Sequence, residues 1–160
     1  MRYADIIKND IMAAPGISLS VYLQGCPHRC PGCHNPETWD FEGGKEFTYD
    51  TLTEIFDGIK ANGLERNLSI LGGEPLCPEN QFLTNMIISE VRKRYPDIKI
   101  YVWTGYLYEE LLKNSSKLLE QTLASIDVLV DGPFIESERD ITLPLRGSRN
   151  QRIIDLSKKI

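Results

Sequence analysis

The chain has 160 residues, of which 41% are hydrophobic and 26% are charged, as in ordinary globular domains. Its formal net charge of −5 argues against nucleic acid or an anionic membrane as the main partner, and no apolar run is long enough to span a bilayer. The first residues lack the apolar stretch of a signal peptide. We therefore expect a cytoplasmic protein with a single domain over residues 1–160.

Short apolar strands alternate with amphipathic helices along the chain. The first helix begins with Thr51-x-x-Glu54, a capping-box pattern, and the second carries Phe82 on its apolar face. Cys77 lies just before that second helix, at its N-cap, where a structural thiol is expected. In chain order, the pattern predicts a strand over 18–24, a loop over 26–47, a helix from 51 to the turn at 62–63, a strand over 68–71, a helix over 79–95, a strand over 98–103, one or two helices over 106–124, a strand over 127–130 and a last strand over 151–155.

This alternation predicts an α/β fold with a mostly parallel sheet. A complete eight-stranded barrel takes about 200 residues or more, so this chain has room for about five or six strands and the barrel stays open on one side. Unusual loops follow the predicted strands at residues 26–33, 72–75, 103–106 and 131–133. Because the carboxyl ends of parallel strands share one edge, we expect these loops to converge there on a ligand site.

The first of these loops contains the CxxxCxxC array Cys26, Cys30 and Cys33. Thiolates suit iron–sulfur clusters and zinc, and clustered cysteines in a reducing compartment are seldom disulfides. Three thiolates on a 4Fe-4S cluster would leave one iron open to a small molecule. The spacing also allows a zinc site completed by His28 or His34, or an electron-transfer cluster completed by Cys77. Buried free thiols are a further alternative, but they fit a polar, proline-rich loop poorly.

The motif set resembles the radical S-adenosylmethionine superfamily, in which CxxxCxxC follows the first strand of a partial barrel. The Gly72-Gly73-Glu74-Pro75 loop is similar to the GGEP motif of that superfamily. Within it, the chain resembles the activating proteins of anaerobic (class III) ribonucleoside-triphosphate reductases. The motifs that recur in that family are found here at 9–10, 15–16, 24–36, 38–39, 102–106, 130–134 and 146–152.

The resemblance implies that the three cysteines hold a 4Fe-4S cluster and that S-adenosyl-L-methionine binds its fourth iron. Reductive cleavage of that molecule would then generate a glycyl radical on the large subunit of the reductase. A flavodoxin- or ferredoxin-like protein would supply the electron. The implied cofactor contacts are Gly32, Cys33, His34, Gly72, Gly73 and Glu74.

Several points stay open at this stage. The wider superfamily carries an aromatic residue where this chain has Gly32, so either His34 packs on the adenine or it faces solvent. Asp131 contacts either the ribose or the partner, and the segment from Arg146 to Arg152 either is a solvated tail or docks the reductase. The rival functions are an activating enzyme of the pyruvate formate-lyase type and a Cys3His zinc module that mediates protein binding.

Overall fold

The computed structural model describes residues 1–157 and contains one mixed sheet of seven strands. Residues 158–160, included in the expected domain, lie outside the described residues. The strands are β1 (Arg2–Asp10), β2 (Ser18–Leu23), β3 (Lys45–Glu46), β4 (Asn67–Gly72), β5 (Ile100–Trp103), β6 (Val128–Asp131) and β7 (Arg152–Asp155). The helices are α1 (Tyr49–Ile59), α2 (Pro78–Arg94), α3 (Tyr108–Lys113) and α4 (Lys117–Ser125), with short 3-10 turns at Pro36–Thr38, Ala61–Gly63 and Glu136–Glu138.

The order of the strands across the sheet is β3-β1-β2-β4-β5-β6-β7. The three pairings among β2, β4, β5 and β6 are parallel, and the three that involve β1, β3 or β7 are antiparallel. The predicted α/β class and the central parallel sheet are therefore confirmed. The expectation of five or six mostly parallel strands was wrong, since half of the pairings in the described chain are antiparallel. The two missed strands, β1 and β3, escaped notice because they lack a clean apolar alternation, and Asp10 is their one buried residue.

Alternate residues of the central strands point into a core shared with the helices. Leu19 and Val21 of β2 and Ile70 of β4 are fully buried there. Fully burying a side chain of this kind contributes roughly 1.5–3 kcal/mol to stability. The helical members of the same cluster include Ile55, Ile59, Leu83, Ile87, Val91, Leu119 and Leu123. This packing holds the parallel strands in register, so that their carboxyl ends form one edge.

The helix ends differ from the sequence prediction at two places. Helix α1 begins one turn earlier than expected: Thr48 is its N-cap, and Thr51 takes the third helical position of the capping box in place of Glu54. Phe82 does not join the apolar face of α2, because 60% of the residue is exposed. Cys77 occupies the N-cap position of α2 without a side-chain capping bond, and Pro78 takes the first helical position, as predicted.

The segment from Arg146 to Arg152 folds back onto the loop that follows β6. The Gln151 side chain accepts hydrogen bonds from the Gly147 and Ser148 amides and donates to the Gly132 carbonyl at 3.0 Å. A solvated tail is therefore ruled out for this segment. Within residues 1–157, none of the helices has the length and apolar character that a membrane span requires.

Candidate iron–sulfur site

The two ends of the cysteine loop are paired like neighbouring strands. The Gly25 amide donates to the Thr38 carbonyl at 2.7 Å, and the Cys26 amide donates to the Trp39 carbonyl at 3.1 Å. These bonds close the loop just beyond β2. All three clustered cysteines are thereby held near the carboxyl end of that strand.

Two buried amide side chains fix the loop to the rest of the domain. Gln24 donates its Nε2 to the Glu37 and Asp40 carbonyls, at 3.0 and 2.7 Å. Asn80, in the first turn of α2, donates its Nδ2 to the Gly25 carbonyl at 3.1 Å. Neither residue was a candidate from the sequence. The available signal was a polar residue at the end of an apolar strand and another at the start of a helix.

Cys26, Cys30 and Cys33 line one cavity of about 140 Å³. The strand-end loops complete its wall, as the parallel topology predicts. From those loops it includes Gly72, Gly73, Glu74, Trp103, Thr104, Gly105 and Gly132. A larger cavity, about 560 Å³, lies at the amino ends of the parallel strands, and no cysteine lines it. We place the site in the smaller cavity because the soft ligands converge there.

The fourth cysteine lies outside this cavity. Cys77 is fully buried, its Sγ donates to the Glu74 carbonyl at 3.2 Å, and burial raises its pKa to about 12. Burial also raises the pKa of the Cys26 thiol, with smaller contributions from Glu74 and Cys30. A cationic metal centre would offset this penalty at Cys26, which faces the cavity with the other two cysteines.

Glu74 connects the loops of the site through its carboxylate. It is 1% exposed, and its carboxylate accepts four hydrogen bonds. Oε1 accepts from the Leu76 amide at 2.9 Å and the Thr104 hydroxyl at 2.7 Å. Oε2 accepts from the Gly105 amide at 2.6 Å and contacts His28 Nε2 at 2.8 Å. These bonds use all the acceptor positions of a carboxylate, so Glu74 joins three loops to one another.

His28 is the side chain through which the cysteine loop reaches the other two loops. Its ring packs edge-on against Tyr106, with the ring centroids 4.6 Å apart. It also fills the space beside Gly105, where an added Cβ would lie 2.5 Å from the imidazole Cδ2. Any larger residue at position 105 would therefore displace His28 from Glu74.

Gly73 is required by a close approach of two backbones. A Cβ at this position would lie 2.4 Å from the Gly25 carbonyl oxygen, closer than non-bonded atoms can come. The neighbouring Glu74 amide donates to that same oxygen at 2.8 Å. The space beside Gly73 is thus filled by the start of the cysteine loop.

Two of the expected cofactor contacts lie elsewhere. Gly32 is exposed and lies against the Glu136 side chain. His34 is exposed as well, and its ring centroid is 5.5 Å from that of Phe134. His34 lines a second cavity of about 370 Å³, which shares Trp103 with the cysteine cavity.

Asp131 is fully buried at the end of β6, and protein groups occupy its carboxylate. Its oxygens accept from the Tyr108 amide at 2.8 Å and from the Arg152 guanidinium, which also contacts Glu109 at 2.7 Å. Arg152 lowers the pKa of Glu109 to about 2. These contacts make Asp131 a structural anchor between α3 and β7.

Trp39 also lines the cysteine cavity, and it was not among the residues expected from the sequence to form the site. Its indole Nε1 is buried and has no hydrogen-bond partner among residues 1–157. The other indole of the chain, that of Trp103, donates to the Leu145 carbonyl at 2.8 Å. A residue that lines the cavity therefore carries an unpaired buried donor.

The positions of the potential metal ligands can be compared with what the alternative Cys3His zinc site would need. A zinc site needs four ligands at about 2.0–2.3 Å from one ion. No group of three His, Cys, Asp or Glu side chains within residues 1–157 is placed to hold a single ion. A cluster places each thiolate on its own iron, so the three sulfurs need not meet at one point.

Comparison with known proteins defines the class of this site. A family model described as a 4Fe-4S single cluster domain matches residues 12–154, and so the chain belongs to that class of iron–sulfur proteins. The chain is also similar to individual members of a narrower group. It is 36% identical over 154 residues to the anaerobic ribonucleoside-triphosphate reductase-activating protein of Vibrio cholerae, covering 96% of this chain and 97% of the relative.

Proteins with the same name from other sources are similar as well. The protein of that name from Escherichia coli K12 is 36% identical over 152 residues, covering 94% of this chain and 96% of the relative. The one from Enterobacteria phage T4 is 34% identical over 153 residues, covering 96% and 93%. The chain belongs to the family of anaerobic ribonucleoside-triphosphate reductase-activating proteins, and the family resemblance drawn from its motifs is confirmed.

Proposed function

We propose that this protein activates an anaerobic ribonucleoside-triphosphate reductase by generating its glycyl radical, with S-adenosylmethionine as the second cofactor. The observation that carries the proposal is the cavity lined by Cys26, Cys30 and Cys33 with Cys77 outside it. Three thiolates leave one iron of a 4Fe-4S cluster without a protein ligand. The family members are named as activating proteins of anaerobic ribonucleoside-triphosphate reductase, and we take that reductase as the partner.

The residues of the cavity fit such a cluster. Three soft thiols line it from one closed loop. When bound, the cluster and S-adenosylmethionine supply one-electron chemistry that ends in a glycyl radical on the reductase. The donor of that electron belongs, in this proposal, to the flavodoxin or ferredoxin class. The reducing cytoplasm is the compartment that suits such a site.

Glu74 has a different role here from the direct cofactor contact that the resemblance implied. Because its four acceptor positions bind protein donors, we assign it to positioning. It holds His28 of the cysteine loop against Thr104 and Gly105 at the end of β5. The loop thus keeps its shape before any cofactor arrives.

The remaining contacts to S-adenosylmethionine are assigned by position. Gly72 and Gly73 present backbone groups in the cysteine cavity, where they suit the amino and carboxylate ends of the methionine. His34 in the adjoining cavity is the candidate neighbour of the adenine, with Gly32 beside Cys33. The fold is proposed to be the open partial barrel of radical S-adenosylmethionine enzymes. Its parallel strands β2, β4, β5 and β6 would form the barrel wall.

The test is anaerobic reconstitution of the protein with iron and sulfide, followed by electron paramagnetic resonance. The reduced protein should give a cluster signal that changes when S-adenosylmethionine is added. Addition of the anaerobic reductase should then give a glycyl-radical doublet on that partner. A protein that loads one zinc and no iron would overturn the proposal, as would a reductase that stays radical-free with the reduced, loaded protein.

A further inference from the structure

The buried indole nitrogen of Trp39 is the strongest unexplained feature of the molecule. Among residues 1–157, it is the one buried side-chain nitrogen or oxygen atom without a hydrogen-bond partner. Leaving a buried donor unpaired is costly, because it loses its bonds to water and gains none in the protein. Native proteins rarely retain such a donor unless it has an acceptor outside the chain.

Its surroundings indicate what that acceptor is. Trp39 lines the cavity together with Cys26, Cys30 and Cys33. Its carbonyl accepts from the Cys26 amide at 3.1 Å, which places Trp39 directly beside the first cysteine. The guanidinium carbon of Arg29, within the cysteine loop, lies 5.9 Å from the centroid of the indole ring. The cysteine loop therefore contacts both the backbone and the ring of Trp39.

We propose that Trp39 donates its indole N–H to a sulfur of the cluster and makes the cluster easier to reduce. This inference rests on the function proposed above. Reduction adds negative charge to the cluster, and a hydrogen bond from a neutral donor stabilises the more negative state more strongly. Hydrogen bonds to the sulfurs are among the factors that set the potential of a cluster. Trp39 is thus a positioning and tuning residue, while the cysteines hold the iron.

Trp39→Phe removes the donor and keeps an aromatic ring. We expect the variant to load iron and sulfide as the wild type does. At a fixed solution potential, its ratio of reduced to oxidised cluster should fall by about threefold to tenfold, where tenfold corresponds to about 59 mV for a one-electron couple. The measurement is an anaerobic redox titration followed by electron paramagnetic resonance.

Trp103→Phe is the matched control. Trp103 lines the same cavity, but its indole nitrogen already donates to the Leu145 carbonyl at 2.8 Å. This variant should keep the wild-type potential. A merely structural role of an aromatic ring in the cavity would move both potentials or neither, and either result would overturn the assignment.

A second measurement does not depend on how well Trp39→Phe folds. In Trp103→Phe, Trp39 is the only tryptophan of the chain. Labelling its indole with ¹⁵N should give a ¹⁵N hyperfine coupling to the reduced cluster in electron–nuclear double resonance. Absence of that coupling in a loaded protein would refute the inference alone, whereas failure of the wild type to load any cluster would refute the proposed function.

Discussion

Glu74 illustrates how one buried carboxylate organises this site. Taking a charge out of water is costly unless hydrogen bonds compensate it. Here four donors from three loops provide that compensation, and among them is His28 of the cysteine loop. The same bonds that stabilise the charge therefore also fix the position of the cysteines.

We expect substitution of the four cysteines to affect iron binding differently. Cys26→Ala, Cys30→Ala or Cys33→Ala should each abolish stable iron binding, because each removes a ligand from the cavity. Cys77→Ala should leave the iron content unchanged and lower the free energy of unfolding by about 1 kcal/mol, since it removes a buried thiol. Iron and sulfide analysis per chain is the measurement. A folded Cys77→Ala protein without a cluster would favour a four-cysteine electron carrier.

Gly73→Ala should lower the iron content by roughly threefold or more, since the added methyl group would displace the Gly25 carbonyl at the start of the cysteine loop. Gly63→Ala is the control for general destabilisation, because its left-handed backbone (φ +71°) strains any side chain while nothing lies within 4 Å of the added Cβ. Iron per chain and affinity for S-adenosylmethionine are measured in parallel. A Gly73→Ala protein with full iron content and weakened cofactor binding would contradict this structural role and leave Gly73 with the proposed cofactor contact alone.

The secondary-structure elements bring the strand-end loops together. Strand β7 then fixes the loop that follows β6. Arg152 of β7 bridges Asp131 of β6 and Glu109 of α3. Gln151, one residue before, binds the Gly132 carbonyl at 3.0 Å and lines the cysteine cavity. The antiparallel strand β7 thus anchors a loop of the site to the parallel sheet.

The Arg152–Glu109 pair should make stability depend on pH. Because the folded-state pKa of Glu109 is lowered from 4.5 to about 2, its contribution is complete above pH 4.5 and is lost as the pH falls toward 2. Urea unfolding of wild type and Glu109→Gln should therefore differ more at pH 6 than at pH 3. About 1 M salt should reduce the difference at pH 6, since the pair is exposed. A difference that grows on acidification would contradict the assignment.

As a whole, the described sheet is open, with β3 and β7 at its two edges. The cysteine cavity lies at the carboxyl end of the parallel strands, where a protein partner can reach it. A site for radical chemistry needs water to be excluded. The proposed reductase would cover the cavity during turnover and present a glycine, whose missing side chain lets its Cα hydrogen approach closely.

This arrangement predicts that the reductase couples the formation of 5′-deoxyadenosine to the formation of the glycyl radical. Without the reductase, the reduced protein should form 5′-deoxyadenosine slowly and without a protein radical. With the reductase, the amount formed should approach one per glycyl radical. Quantifying 5′-deoxyadenosine by chromatography and the radical by spin counting tests this. A small metabolite that accounts for all the 5′-deoxyadenosine in the absence of the reductase would refute a protein substrate.

Local patterns in the chain were enough to predict the central fold and the ligand loop. Strands β2, β4, β5 and β6 are short apolar runs that end in glycine or polar turns, so periodicity reveals them. The cysteine spacing and the 72–75 motif led to the correct family. Parallel topology then predicted that these loops would share one edge, because that geometry is common to all such sheets.

Tertiary contacts decided the rest. Strands β1 and β3 owe their conformation to pairing with other strands, β1 with the following strand β2 and β3 with β1 more than 40 residues away, and their own residues carry little apolar alternation. The same holds for the site: Glu74 lies 46 residues from His28 and 31 from Gly105. No local pattern specifies which donors a buried carboxylate meets, or that one indole is satisfied by a carbonyl while the other is free. Those outcomes depend on how distant loops pack once the core has formed.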